Sequence, residues 1–117
     1  MKLHYFDYAA ATPVSASVQA LMQPYFADKF YNPSALYLSA QSIKQDITQA
    51  RITVAELLGC KTSEIIFTGG GTESDNLAIK GIMEKYPDAN CIVSSIEHDA
   101  VMEPAKRYKH KFATVQE

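Results

Sequence analysis

Apolar residues recur along this chain in two rhythms. Ile43, Ile47, Ala50, Val54 and Leu57 follow one another at steps of four, three, four and three, the spacing of one helix face. Gly59 then stands where a helix end favours a left-handed residue. Leu77, Ile79, Ile82, Met83 and Tyr86 predict a later helix, and Val18, Leu21, Met22 and Tyr25 predict the buried side of an earlier one starting near Ser15. Pro24 should kink or end that first helix. The other rhythm is short, apolar and rich in β-branched residues: "EIIFT", "CIVSS" and "FATV" predict strands bounded by turn residues. "AVMEPAKRY" predicts a helix between the last two, with Pro104 tolerable only in its first turn. Leu3 to Tyr8 read as an extended segment closed by Thr12-Pro13, and Asn32-Pro33 in "YNPSALY" as a chain reversal.

From Glu64 onward the order is strand, helix, strand, helix, strand. That alternation implies an α/β fold with parallel strands and crossover helices. Ligands in such sheets collect beyond the carboxyl ends of the strands, where both the glycine run "GGG" and the segment "SIEH" fall. "FATVQE" has nothing after it to cover its faces, although parallel sheets need cover on both sides. The chain is therefore expected to be the opening part of a larger domain.

Composition narrows the class. The 117 residues are 47% hydrophobic and 21% charged, with a formal net charge of -2, ordinary for a globular protein. Nucleic-acid binding would call for clustered basic residues. The only such cluster, Lys106, Arg107, Lys109 and Lys111, reads as a solvated helix face. No apolar run approaches the ~20 residues of a membrane span, and "MKLHYFDY" lacks the features of a secretory leader; a cytoplasmic location is the expectation. Cys60 and Cys91 fit no metal spacing and read as small buried apolar residues.

Three of the five glycines, Gly69, Gly70 and Gly71, sit between an expected strand and an expected helix, followed by Thr72. Glycine lets a ligand approach the main chain closely, and the next helix offers unpaired N–H groups and the positive end of its dipole. An anion there would meet the amides of Gly71 and Thr72 and the Thr72 hydroxyl. The other reading is structural: Thr72 and Asp75 as a capping box. A P-loop is excluded because no lysine follows the glycine run before Lys80, and the dinucleotide fingerprint fails at Ser74, where its third glycine should be. His98 follows the second strand at the same rim. It either serves a ligand, by stacking or moving protons, or caps the next helix.

"YFDYAAATPV", "YNPSALY", "EIIFTGGGTESDNLAIKG" and "IVSSIEHDAVMEP", in this order and spacing, resemble the cysteine desulfurases of the NifS/IscS type, in the class V aminotransferase superfamily. The resemblance covers essentially the whole chain. It implies the N-terminal part of a fold type I pyridoxal-phosphate transferase: an N-terminal arm over 1–15, a helical segment over 16–60, and the start of the cofactor-binding α/β large domain over 61–117. It further implies that Gly71 and Thr72 hold the phosphate of pyridoxal 5′-phosphate and that His98 stacks on the ring and assists proton transfer. The implied reaction converts L-cysteine to L-alanine and a protein persulfide, whose sulfur goes to an acceptor or iron-sulfur scaffold protein for cluster assembly or tRNA thiolation. A homodimer is implied too. The family's Schiff-base lysine, nucleophilic cysteine and ring-nitrogen aspartate are expected beyond Glu117, so this chain alone is expected to be inactive. Ala11 and Tyr37 depart from the family's frequent threonine and histidine. Another class V activity, selenocysteine lyase or aminotransferase, or a non-catalytic phosphate-binding remnant, stays open.

Overall fold

The computed structural model describes residues 4–113. The chain divides into two compact units, Met1–Ile65 and Ile66–Glu117, each considered by itself.

In the first unit, α1 spans Ala16–Met22, and the Ser15 hydroxyl accepts from the Val18 amide at its start. Pro24 ends the α-helix, as expected, and converts the continuation into a 3-10 turn over Gln23–Phe26. Asn32 and Pro33 reverse the chain: the Asn32 Oδ1 accepts from the Ser34 amide at 2.9 Å and its carbonyl from Ala35 at 3.0 Å, a side-chain mimic of a backbone turn. α2 then runs over Leu38–Leu58. Its end is set by Gly59 at φ 65°, with Gly59 N–H bonded to the Glu56 carbonyl and Cys60 N–H to that of Ala55. This paired closure satisfies two carbonyls that a plain helix end leaves open.

The apolar stripe of α2 is real but only partly covered. Ala40, Ile43 and Ala55 are buried, whereas Leu57 is 81% exposed. Full burial of a side chain such as Ile43 contributes about 2 kcal/mol. The expected buried side of α1 is corrected more severely: Val18, Leu21, Met22 and Tyr25 are all exposed. The helix forms because its cap, proline and periodicity are local properties; no apolar surface among the described residues closes over that side.

The second unit holds α3 over Gly71–Lys85, β1 over Cys91–Ser94, α4 over Asp99–Ala105 and β2 over His110–Ala113. β1 and β2 pair in parallel, Cys91 opposite His110 and Ser94 opposite Ala113. α3 packs on α4 and α4 on β1, burying Met83, Val93, Ala100 and Ala105.

Several expectations are revised here. "EIIFT" is not a strand: Glu64 closes a 3-10 turn, Ile65 is extended at φ -95°, ψ 122°, and no strand among the described residues pairs with residues 65–68. β-branched residues favour extension, but a strand also needs a neighbour. The "FATV" strand begins two residues earlier, at His110, and Thr114 and Val115 lie outside the described residues. Pro104 is not in the first turn of α4 but next to its end, and it is buried. The helix is short enough that the missing N–H costs a single intrahelical bond. The basic residues Lys106, Arg107, Lys109 and Lys111 are exposed, but they follow α4 and enter β2 and so form no helix face. The exposed sheet face is seen in Ile92, 66% accessible. No helix among the described residues is long and apolar enough to cross a membrane.

One polar cluster ties the 3-10 turn to α2. Asp46 Oδ2 accepts from the Tyr25 hydroxyl at 2.8 Å and from Lys29 Nζ at 2.9 Å, while Lys29 also lies over the Tyr25 ring. Hydrogen bonding from Lys29, then from Tyr25, holds the Asp46 carboxyl below its ordinary range, and the bond to Asp46 raises Lys29 above its own. A depressed carboxylate stabilises above its unfolded pKa and loses that effect as pH falls through its folded pKa. A raised lysine loses its effect as pH climbs through its folded value. Asp46→Asn should therefore lower the melting temperature modestly near neutral pH, and the gap from wild type should close in strong acid. Melting curves across pH would read this; a gap that persists in acid would contradict it.

Candidate functional site

α3 starts at Gly71, so Gly70 is its N-cap and Thr72 its second residue. Gly70 is fully extended at φ 164°, ψ 175° and has no side chain to cap the helix. The first main-chain bond of the turn joins Ser74 N–H to the Gly70 carbonyl at 3.2 Å. The N–H groups of Gly70, Gly71, Thr72 and Glu73 find no acceptor among the described residues. Nothing lies within 4 Å of where a Cβ on Gly70 or Gly71 would stand. These donors face open space at the positive end of a 15-residue helix.

The capping box expected of Thr72 and Asp75 does not form, because the helix has already begun when the chain reaches Thr72. Its hydroxyl has no hydrogen-bond partner among the described residues. Glu73 reaches back instead: its Oε2 accepts from the Gly69 amide at 2.6 Å. Opposite that tie, Thr68 Oγ1 bonds to the Gly70 carbonyl at 3.1 Å and to Ser74 Oγ at 2.6 Å.

Residues 69–73, Asn76 and Lys80 line an open concavity of about 540 Å³. Thr72, Asn76 and Lys80 recur at helical steps of four and share one face, and Asn76 Nδ2 donates to the Thr72 carbonyl at 2.9 Å. Sequence reasoning singled out Gly71 and Thr72 and passed over Glu73, Asn76 and Lys80. The four-residue spacing was the signal available for the last two. A concavity of about 580 Å³ in the first unit, between the Asn32-Pro33 turn and α2, is lined by Pro33, Ala35 and Leu36, by neutral polar side chains and by Lys44, and it gathers none of Gly71, Thr72 and His98.

His98 stands apart from the glycine concavity and does not line it. It is the N-cap of α4, with Nδ1 accepting from the Ala100 amide at 3.1 Å. An accepting Nδ1 leaves the hydrogen of the neutral ring on Nε2. The capping reading of this residue is thus realised, and Nε2 remains for other work. Tyr108, just before β2, donates to Glu84 Oε1 at 3.3 Å, tying the last turn of α3 to the amino end of the sheet.

The aminotransferase class-V family profile matches residues 4–117. The chain belongs to that family. Among its class-V relatives are cysteine desulfurases IscS: the protein from Methanosarcina thermophila is 47% identical over 86% of this chain and 26% of its own length, and that from Dictyoglomus turgidum is 43% identical with the same coverage. The solved structure of SspA in complex with cysteine superposes with a TM-score of 0.84 at 42% identity, over 92% of this chain and 33% of the other. The chain thus spans about a quarter of the length of the curated relatives it matches. In fold it is a mixed helix and parallel-strand portion of the fold type I class-V architecture.

The cap at His98 is open to a direct check. His98→Ala should lose about 1 kcal/mol through the start of α4, and His98→Asn should recover most of it. Urea unfolding with hydrogen exchange at Ala100 would measure both; equal stability of the Ala variant and wild type would contradict the cap.

Proposed function

We propose that this chain supplies the phosphate-binding part of a pyridoxal 5′-phosphate-dependent cysteine desulfurase. The carrying observation is the set of unpaired N–H groups at Gly70, Gly71, Thr72 and Glu73 beside the unpartnered Thr72 hydroxyl, in a class-V chain. That donor set fits a phosphate dianion. The amides and helix dipole supply positive potential, the hydroxyl adds a donor, and the bare glycines leave room for the oxygens. Gly71 and Thr72 hold the phosphate, and residues 61–117 open the cofactor-binding domain.

The cofactor, when bound, supplies an electron sink at the substrate carbon. This chain's part is to bind and orient. An anchored phosphate fixes one end of the ring, removing the rotational freedom that would blur the reacting geometry. His98, held by its Nδ1 tie to Ala100, keeps its ring orientation and presents its ring face for stacking and its Nε2–H as a donor near the reacting centre. The net reaction carries the sulfur of L-cysteine to a protein thiol, giving L-alanine and a persulfide. The sulfur then passes to an acceptor such as an iron-sulfur scaffold or a tRNA-thiolating partner. A cytoplasmic homodimer is part of the same reading, as the resemblance to the cysteine desulfurases implies.

The test separates phosphate from ring. Pyridoxine 5′-phosphate and pyridoxine both lack the aldehyde and cannot condense with lysine, so their affinity ratio reads the phosphate contact alone. The ratio should favour the phosphate ester, and Thr72→Val should cut it roughly tenfold. Equal binding of the two compounds, or an unchanged ratio in the variant, would contradict the reading. At the length of its relatives, a polypeptide containing this chain should release one L-alanine for each persulfide sulfur formed from L-cysteine.

A further inference from the structure

The glycine turn is free to bend at three consecutive residues, yet the useful arrangement has its amides open on one side. Two ties on its other side select that arrangement. Glu73 Oε2 takes the Gly69 N–H at 2.6 Å, and the Gly70 carbonyl is held by Thr68 Oγ1 at 3.1 Å and by the Ser74 amide at 3.2 Å. Thr68 Oγ1 and Ser74 Oγ are themselves 2.6 Å apart. Ser74 Oγ also lies 3.4 Å from the Gly70 carbonyl; the two hydroxyl hydrogens meet the two shorter contacts when Thr68 donates to that carbonyl and Ser74 donates to Thr68. The bond between Gly69 and Glu73 is charge-assisted and short, so the turn is clamped before and after Gly70.

We propose that Glu73 is a positioning residue for the anion site, with the Thr68–Ser74 hydroxyl pair as its second support. By occupying the Gly69 amide, Glu73 holds Gly70 extended and leaves the next four N–H groups facing the concavity. A preset donor array binds an anion more tightly than one that must first be ordered. The inference rests on the phosphate reading above and deepens it. It names a carboxylate, a group that would otherwise repel a phosphate, as part of what shapes the phosphate site.

The test uses the 117-residue chain with Glu73→Ala, Glu73→Gln and Thr68→Val, each checked by circular dichroism for wild-type helix content. Two quantities are read: hydrogen exchange at the Gly69 amide, and the affinity ratio of pyridoxine 5′-phosphate to pyridoxine. Glu73→Ala should speed exchange at Gly69 and lower the ratio roughly three- to tenfold. Glu73→Gln keeps an acceptor for Gly69 and should restore both to within about twofold of wild type. Should Glu73→Ala fail to fold, Thr68→Val carries the test, with a drop in the ratio of roughly threefold. The positioning role is overturned if Gly69 exchanges faster while the ratio holds, if the ratio rises in Glu73→Ala, or if Gln behaves as Ala. It is overturned as well if Thr68→Val alone is available and leaves the ratio unchanged. A wild-type ratio of one would overturn the phosphate reading and this inference together, which distinguishes the two failures.

Discussion

A helix must begin somewhere, and its first N–H groups have no carbonyl behind them to bond. In this protein that constraint falls on Gly70, Gly71, Thr72 and Glu73, where the usual remedy, a capping side chain, is missing because the cap is glycine. The positive end of the α3 dipole is therefore left facing an open concavity. The chemistry proposed for the chain depends on this. In that proposal a dianion gains from donors that the exposed turn already holds aligned. The neighbouring ties through Glu73 and Thr68 keep the turn from collapsing onto its own amides.

The second constraint is apolar surface. Helical and strand periodicities are present, but much of what they would bury is exposed, including Leu21, Leu57 and Ile92. Among the described residues the buried side chains fall into two small groups, Ala40, Ile43 and Ala55 in one unit and Met83, Val93, Ala100, Pro104 and Ala105 in the other. Local determinants carry much of the visible order: the Ser15 cap, the proline after α1, the left-handed Gly59, and the His98 cap. These act within a few residues and need no distant partner.

The same distinction explains what could be read from the chain beforehand. α2 was legible because its period and its terminal glycine are both local. The "EIIFT" strand was not, because extension is a residue preference and pairing is a property of a neighbour. Pro104 was misplaced in its helix because burial against the rest of its unit outweighs one lost hydrogen bond. At the site, strand-like residues, glycines and a threonine made Gly71 and Thr72 visible. Glu73 escaped notice because its role depends on the helix starting at Gly71, two residues before the start a Thr72 cap would set. His98 fitted two readings from sequence, and only geometry shows that Nδ1 is committed to Ala100 while Nε2 is not.

The most direct measurement is a titration of the chain with inorganic phosphate, followed residue by residue through the main-chain N–H resonances. Saturable shifts concentrated at Gly70, Gly71, Thr72 and Glu73, with little change at Asp99 and Ala100 in the shorter α4, are the expected result. Shifts spread over the exposed lysines, or none at the start of α3, would contradict an anion site built from those amides.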